Sequence, residues 1–537
     1  MKKNNKVLLW ILSIASGILF SLSWPVGGLS ILIFFAFIPL LYIENTIRKE
    51  KERFSKFAVF FYAYPAFLIW NIATTYWVWF STSAAIAAWT LNALFMSLVF
   101  ALFSYTKNKF YKPENSYFLL PVFWIAFEYL HLNWKITWPW LTLGNVFASD
   151  TSWVQWYEYT GFLGGSVWIF IVNILLFKVL NLLIAGLSSR KKITLYTALV
   201  VGSFFVPLFF SYHLYNKRIE PVSNLQVIVT QPNLDPYSTQ YSMHPQDVIR
   251  KIEKLAGQKM NDSLCLVMAP ESAIQERIQE QDLQRSESLS TLQKFIDIHP
   301  SASILIGAST YKQYDKDLDE IPSTARHQLT YDIYYDVFNT AFMITDRQLS
   351  YHHKSKLTPG VEYMPTSGVF KILNSFAVDL GGTVGSLGID VDTHPLFMQN
   401  GTPIAPVICY ESIFGDYVSR FVRQGAQMIC VITNDGWWGD SPGYKQHFEY
   451  AKLRAIENRK WVARSANTGI SGFINDRGEV LQRTPYWEED VRSIRVELND
   501  VITFYAKWGD YLGRIASFFS VLLLLINIAS LLKRKTF

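Results

Sequence analysis

The first 215 residues of this 537-residue chain contain a series of apolar runs, each close to 20 residues long. Runs of that length cross a bilayer as helices, because a helix satisfies its own backbone hydrogen bonds where no water is available. Half of all residues are apolar and 17% are charged, which is too few charges for one soluble globule of this size. We predict eight spans at about 7–24, 29–45, 57–77, 83–106, 116–132, 162–187, 193–213 and 512–532.

Two of these runs carry ambiguous signals. The fifth is the weakest, because Glu128 and His131 interrupt its end. The first, from Met1 to Trp24, has the length of a secretory signal peptide. No A-x-A-like cleavage site follows it and further apolar runs come at once, so we interpret it as an uncleaved first span.

The positions of lysine and arginine predict the orientation. Five basic clusters fall on one side of the membrane if the chain has eight spans, and that side is the cytoplasmic one. We therefore expect both termini in the cytoplasm and the segment 216–505 on the opposite side. Much of the net charge of +6 is this bias, so we expect no nucleic-acid partner. The clusters are Lys2 to Lys6, Arg48 to Lys56, Lys107 to Lys112, Arg190 to Lys192 and Lys533 to Lys535.

The segment 216–505 has the pattern of a soluble α/β domain. Near-continuous apolar runs alternate with amphipathic stretches such as 246–256, 289–298 and 446–460, which is typical of a sheet covered by helices. The polar, tyrosine-rich stretch 310–337 is predicted to be a long excursion or lid. We thus expect three parts: a seven-helix membrane domain at 1–215, this domain at 216–505, and an eighth helix with a cytoplasmic tail at 506–537.

All three cysteines lie in the predicted soluble domain. Cys265 and Cys430 lie inside apolar runs and are expected in the core. Cys409 ends the apolar run that begins at Pro403 and precedes a helix-like stretch, Ser412 to Gln424. A helix N-terminus favours negative charge, so this position predicts a stabilised, nucleophilic thiolate. A disulfide that uses Cys409 is the alternative.

Two further charged residues follow predicted strands. Glu271 comes after the run Leu264–Ala269, and Lys354 follows His352-His353. Loops at strand ends converge in α/β folds, so these side chains are candidates to meet Cys409. A glutamate can take the thiol proton, and a lysine can stabilise the oxyanion. The adjacent histidines would point to opposite faces of a strand, so we predict no metal site.

These residues carry a family resemblance. Glu, Lys and Cys in this order resemble the catalytic triad of the nitrilase superfamily. Additional motifs are Lys354 to Pro365, Cys409-Tyr410-Glu411, Asn434 to Asp440 with Gln446-His447, Arg464 to Gly469, Asp476 to Gly478, and Trp138 to Leu141 with Gly144. Together they resemble the membrane-embedded branch of that superfamily, the apolipoprotein N-acyltransferase family. One departure is Lys356, where that family commonly has histidine, and it leaves Lys356 as the alternative to Lys354.

The resemblance implies a fold and a reaction. The fold would be a membrane helical bundle of eight spans plus a nitrilase-like α-β-β-α sandwich. The reaction would be a two-step acyl transfer in which Cys409 attacks a phospholipid ester, with phosphatidylethanolamine as the usual donor. The thioester would then acylate the N-terminal α-amine of a diacylglyceryl-cysteine on an apolipoprotein. The thioester stores the acyl group, so no cofactor is expected.

The resemblance also implies supporting residues and a location. Glu362 is expected to position Lys354 or Glu271, and Glu411 to order the cysteine turn. Tyr410 and Trp437 are expected to line the acyl or headgroup entrance. The protein would be a monomer in a bacterial inner membrane, with its catalytic domain in the periplasm.

Two other functional classes fit parts of the sequence. A membrane-tethered nitrilase-like amidase would share the thioester but use water instead of an amine, and the sequence does not show the acceptor. A lipid-binding or transport module with a degenerate nitrilase domain is disfavoured, because all three catalytic residue types are present.

Overall fold

The computed structural model describes residues 4–184, 190–261, 263–315, 320–363 and 386–535. The chain forms two compact units. The first comprises Met1–Tyr76, Ala85–Lys217 and Trp508–Phe537, and the second comprises Trp77–Ala84 and Arg218–Lys507. Several predicted positions lie outside the described residues: Lys2 and Lys3, part of the predicted lid at 316–319, Met364 and Pro365 of the lysine motif, and the end of the C-terminal tail at 536–537.

The first unit is helical, as predicted. Within the described part of the chain, seven helical segments are long and apolar enough to cross a membrane. They correspond to seven of the eight predicted spans. The helices of this unit are Asn4–Ser23, Ile33–Ala36, Ile38–Lys49, Ala58–Thr75, Ala85–Lys107, Leu119–Asn133, Tyr157–Thr160, Phe162–Ile184, Arg190–Tyr215 and Tyr511–Lys535.

The remaining predicted span, 116–132, is a shorter helix. Leu119–Asn133 has 15 residues. At 1.5 Å per residue it rises about 22 Å, less than the roughly 30 Å of a bilayer's apolar core. It packs against Ala85–Lys107 and Tyr511–Lys535, so it is part of the bundle.

The second unit contains two β-sheets. Their strands are β1 Ser223–Gln231, β2 Cys265–Met268, β3 Ile274–Gln279, β4 Ala302–Tyr314, β5 Arg326–Gln328, β6 Ile333–Ile344, β7 Leu349–His353, β8 Leu396–Phe397, β9 Pro403–Ile408, β10 Met428–Thr433, β11 Val462–Ala466, β12 Gly472–Ile474, β13 Val480–Arg483 and β14 Asp490–Leu498. The first sheet has the order β14-β1-β2-β4-β6-β5, with β3 beside β4 and β7 beside β6. The second sheet has the order β13-β12-β11-β10-β9-β8.

Successive side chains of a strand point to opposite faces of its sheet, so the strands contribute to two cores. In β1, Val227 and Val229 pack between the two sheets, whereas Ile228 faces the helices Pro245–Gly257 and Glu287–Ile298. The helices Gly415–Arg423 and Pro442–Asn458 pack on the second sheet. These layers form the predicted α-β-β-α sandwich. Shorter helices of this unit are Val78–Ser81 and Phe504–Trp508.

Two local predictions have different outcomes. Cys265 and Cys430 are free and buried in these cores, as expected. The described part of 310–337 is mostly paired strand rather than a separate lid. Tyr311–Tyr314 of β4 pair with Tyr334–Val337 of β6, and β5 lies beside them.

Candidate active site

The second unit brings the three predicted catalytic residues together. Glu271 follows β2, Lys354 follows β7 and Cys409 follows β9, so two come from the first sheet and one from the second. All three line one cavity of about 400 Å³. Strand ends bring together side chains that lie far apart in sequence, as expected for an α/β fold.

Lys354 lies at the centre of a buried polar network. Its Nζ donates to Glu271 Oε1 at 3.0 Å and to Glu362 Oε1 at 2.7 Å. Asn339 Nδ2 donates to the same two oxygens at 2.7 and 3.2 Å. The alternative residue, Lys356, has its Nζ 5.1 Å from the ring centre of Phe414. Lys354 is therefore the lysine that contacts the two carboxylates.

Backbone N–H groups fix the other oxygens of these carboxylates. Asn434 N–H donates to Glu271 Oε2 at 2.9 Å, and Thr358 N–H donates to Glu362 Oε2 at 2.9 Å. Glu362 therefore positions both Lys354 and the Asn339 amide. The expected contact of Glu362 with Lys354 is present in the structure.

The network sets the charge state of the cavity. Burial raises the pKa of Glu271, and the like charge of Glu362 adds to this effect although Lys354 opposes it. Burial alone would lower the pKa of Lys354, but the two carboxylates outweigh it and raise that pKa well above its usual value. Lys354 is thus a permanent ammonium beside a carboxylate that takes up a proton more readily than an ordinary glutamate.

The thiol of Cys409 is protonated at rest. Burial in the cavity wall and the negative charge of Glu271 raise the pKa of Cys409, and Lys354 opposes them only in part. The prediction of a thiolate stabilised by a helix N-terminus is therefore wrong. Cys409 opens a 3-10 turn, Cys409–Ile413, and the next helix begins only at Gly415. Glu271 is a carboxylate that lines the same cavity and can accept the thiol proton.

Cys409 also adopts an uncommon backbone conformation. Its φ is +51°, in the left-handed region that non-glycine residues rarely occupy. Such strain persists only where surrounding contacts hold it, and it concentrates at functional sites.

Glu411 ties the cysteine turn to the lysine segment. Its Oε2 accepts the Ile408 N–H at 2.8 Å, and its Oε1 accepts the Ser355 N–H at 2.6 Å and the Tyr417 hydroxyl at 2.6 Å. Burial would raise the pKa of Glu411, but His352, the Tyr417 hydroxyl and the Ile408 N–H lower it. The structure thus gives Glu411 the contacts expected of a residue that orders the turn.

The two predicted aromatic residues differ. Trp437 lines the cavity, and its carbonyl accepts from Ser81 Oγ at 3.1 Å and from the Tyr237 hydroxyl at 2.9 Å. Tyr410 is buried, with its ring 5.3 Å from that of Phe414. It is absent from the described residues that line the cavity. Tyr410 therefore does not line this cavity, and its place at an acyl or headgroup entrance stays a prediction.

Other cavity residues were not predicted from the sequence. Asn339 lies in strand β6 among other polar residues, Asp336 and Thr340, so no local signal singles it out. Tyr241 and Ser81 also line the cavity. Neither stands out locally: Tyr241 lies in a polar loop, and Ser81 lies in the connection between two predicted spans.

A second buried cluster lies beside Cys409. Ligand-type atoms of Cys409, Asp435 and His447 lie within 4.8 Å of one another, a spacing that could hold a metal ion. However, Arg464 Nη2 lies 2.5 Å from Asp435 Oδ2 and 3.0 Å from His447 Nδ1. A guanidinium at this position already balances the carboxylate and disfavours a second cation.

A comparison with family models identifies the class of protein. The model described as carbon-nitrogen hydrolase matches residues 229–505, more than half of the chain, so the chain belongs to the carbon-nitrogen hydrolase family. A second model, described as apolipoprotein N-acyltransferase N-terminal domain, matches residues 16–175. The predicted membership of the membrane-embedded apolipoprotein N-acyltransferases is confirmed by these two matches in one chain.

Curated relatives extend this likeness over nearly the whole chain. The apolipoprotein N-acyltransferase of Chlorobaculum tepidum is 28% identical over 93% of each chain. Those of Geobacter metallireducens and Pasteurella multocida are each 24% identical, over 93% and 100% of this chain and 92% and 98% of their own.

Proposed function

We propose that this protein transfers a fatty acyl chain from a phospholipid to the N-terminal α-amine of a diacylated apolipoprotein, through a thioester on Cys409. The observation that carries the proposal is that Glu271, Lys354 and Cys409 line one cavity, in a chain whose described part contains seven helical segments long and apolar enough to cross a membrane. Both substrates are lipids anchored in a bilayer. An enzyme held in the same bilayer meets them at a raised effective concentration without additional contacts.

The first half-reaction forms the thioester. As Cys409 Sγ attacks the ester carbonyl, the Glu271 carboxylate takes the thiol proton. The tetrahedral oxyanion is stabilised by the Lys354 ammonium and by the backbone N–H of Tyr410. When the oxyanion collapses, the C–O bond of the ester breaks, and the leaving lysophospholipid oxygen takes the proton from Glu271.

The second half-reaction consumes the thioester. The α-amine of the lipoprotein attacks the thioester carbonyl and gives a proton to Glu271, and the same two groups stabilise the oxyanion. The C–S bond then breaks, and the Cys409 sulfur recovers a proton from Glu271. The acyl group moves from ester to thioester to amide, so no nucleotide or metal is consumed.

The proposal also covers the orientation of the chain in the membrane and its oligomeric state. The segment 216–505 lies on the periplasmic side of a bacterial inner membrane, with both termini in the cytoplasm, which follows from the basic clusters. One chain supplies every proposed catalytic group, so the enzyme acts as a monomer.

The experiment uses full-length protein in phosphatidylethanolamine vesicles with a synthetic diacylated lipopeptide. We expect the lipopeptide to gain one acyl chain and lysophospholipid to form in equal amount. Cys409→Ala abolishes both products, whereas the matched control Cys430→Ala, in the core between the sheets, retains them. Release of free fatty acid without acylated lipopeptide would instead indicate a hydrolase. Full transfer by Cys409→Ala would overturn the thioester route.

A further inference from the structure

Two side chains of one helix contact main-chain carbonyls of the Cys409 turn. His447 and Arg454 lie seven residues apart on helix Pro442–Asn458 and so share one face. His447 Nε2 lies 3.1 Å from the Cys409 carbonyl oxygen. Arg454 Nη1 donates to the Ile413 carbonyl at 2.5 Å, and both side chains are buried. The carbonyls at the two ends of the 3-10 turn are thus fixed by residues of another element.

The hydrogen bonds identify which nitrogen of His447 carries a proton. Ser412 Oγ donates its single proton to the Cys409 carbonyl at 2.7 Å. Toward His447 Nε2, 2.9 Å away, the same oxygen can only accept. The carbonyl is also an acceptor, so both neighbours of Nε2 require it to be an N–H donor.

Charged neighbours fix the His447 ring from its other side. Nδ1 lies 3.0 Å from Asp435 Oδ1 and 3.0 Å from Arg464 Nη2. Burial and Arg464 lower the pKa of His447, although Asp435 opposes them. Although burial opposes ionisation, Arg464 and His447 hold the pKa of Asp435 far below its usual range.

The direction of the Cys409 carbonyl determines the direction of the next N–H. A trans peptide is planar, so the Tyr410 N–H points away from the Cys409 carbonyl oxygen. Two donors, Ser412 Oγ and His447 Nε2, hold that oxygen on the side of helix Pro442–Asn458. They therefore direct the Tyr410 N–H to the opposite side of the peptide, away from helix Pro442–Asn458.

We propose that His447 is a positioning residue for acyl transfer: it orients the Cys409–Tyr410 peptide so that the Tyr410 N–H can receive the oxyanion. This inference rests on the proposed function. It predicts that loss of the Nε2 donor weakens oxyanion stabilisation but leaves the reactivity of the sulfur largely unchanged. Removing an oxyanion donor costs about 100- to 1,000-fold in kcat. A donor that is present but no longer held should cost less, about 10- to 100-fold.

The test separates acylation from alkylation. Acylation of Cys409 by phosphatidylethanolamine passes through an oxyanion, whereas alkylation by iodoacetamide does not. Both rates are measured on full-length protein in micelles for wild type and three variants. In His447→Gln the amide nitrogen occupies the place of Nε2, in His447→Asn it reaches only that of Nδ1, and His447→Ala has neither.

We expect His447→Ala and His447→Asn to acylate about 10- to 100-fold more slowly, with alkylation rates within about twofold of wild type. His447→Gln should recover acylation to within about threefold, because it restores the donor. Equal acylation by all four proteins would refute the inference, as would a parallel loss of alkylation.

Two further results of this experiment differ from the expected and refuting rates above. If His447→Ala does not fold, the difference between the Gln and Asn variants decides the question, since both retain a polar amide. If wild type itself acquires no acyl group, the proposed function fails rather than the role of His447.

Discussion

The charge balance of the cavity predicts the cost of removing Lys354. Its ammonium contacts Glu271 and Glu362, and all three side chains are at most 14% exposed. Lys354→Met retains the apolar stem but leaves two carboxylates without a countercharge. Two unit charges roughly 5 Å apart, in an effective dielectric of about 20, repel by about 3 kcal/mol. Breaking a buried pair by removing one partner costs a similar amount, about 3–5 kcal/mol.

The same reasoning gives the sign of the pH dependence. Without the ammonium, one carboxylate in the folded variant has a pKa above its unfolded value. The folded state then binds more protons than the unfolded state, so stability increases as the pH falls through that raised pKa. We expect the deficit of Lys354→Met to be largest near pH 8 and to shrink toward about pH 5.

Thermal unfolding of the full chain in detergent micelles, followed by tryptophan fluorescence, measures this deficit. About 3 kcal/mol corresponds to a midpoint lower by about 3–5 °C near pH 8, given the size of the second unit and of the whole chain. Adding Glu271→Gln should recover part of the loss, because it removes one of the two charges. The control Lys445→Met, which breaks an exposed pair with Asp440, should have almost no effect. The reasoning is refuted if Lys354→Met melts like wild type, or if its deficit does not depend on pH.

Three further predictions follow from single contacts. The rate of Cys409 acylation should fall as the pH decreases, because the base Glu271 becomes protonated. The midpoint of this fall should lie above the usual glutamate pKa of about 4.3, since burial raises the pKa of Glu271. A pH–rate profile with an acidic midpoint below that value would contradict this. Gly307→Ala should slow acylation about tenfold, because the new Cβ would lie 2.6 Å from Glu271 Cα and displace it; an unchanged single-turnover rate would contradict this. Glu411→Gln should lower the free energy of unfolding by about 1–3 kcal/mol, since it weakens the acceptor of the Ile408 N–H, and equal denaturation midpoints would refute it.

Many helices and strands of this protein were predicted from the sequence, because their signals depend on residues that are close together in the chain. Apolar runs near 20 residues predict membrane helices, and apolar runs that end in polar residues predict strands. Glu271 and Cys409 each follow such a run and Lys354 follows the short strand β7, and their order and motifs were enough to nominate them.

The remaining features depend on tertiary contacts. Asn339 joins the site only because β6 pairs with β7 and brings it beside Lys354, whose N–H donates to the Asn339 carbonyl at 2.8 Å. Residues 78–82 connect two predicted spans, but the stretch Trp77–Ala84 belongs to the second unit. The pKa of Cys409 was predicted with the wrong sign, because burial outweighs the local effect of a helix terminus.

The central claim is that the Cys409 sulfur carries the acyl chain between two lipid substrates. Peptide mass spectrometry of the full-length protein after incubation with phosphatidylethanolamine of defined chain length tests it most directly. We expect one fatty acyl adduct on the peptide that contains Cys409, released by hydroxylamine and lost when a diacylated lipopeptide is added. Transfer to the lipopeptide without any adduct on Cys409, or with the adduct on another residue, would contradict the account.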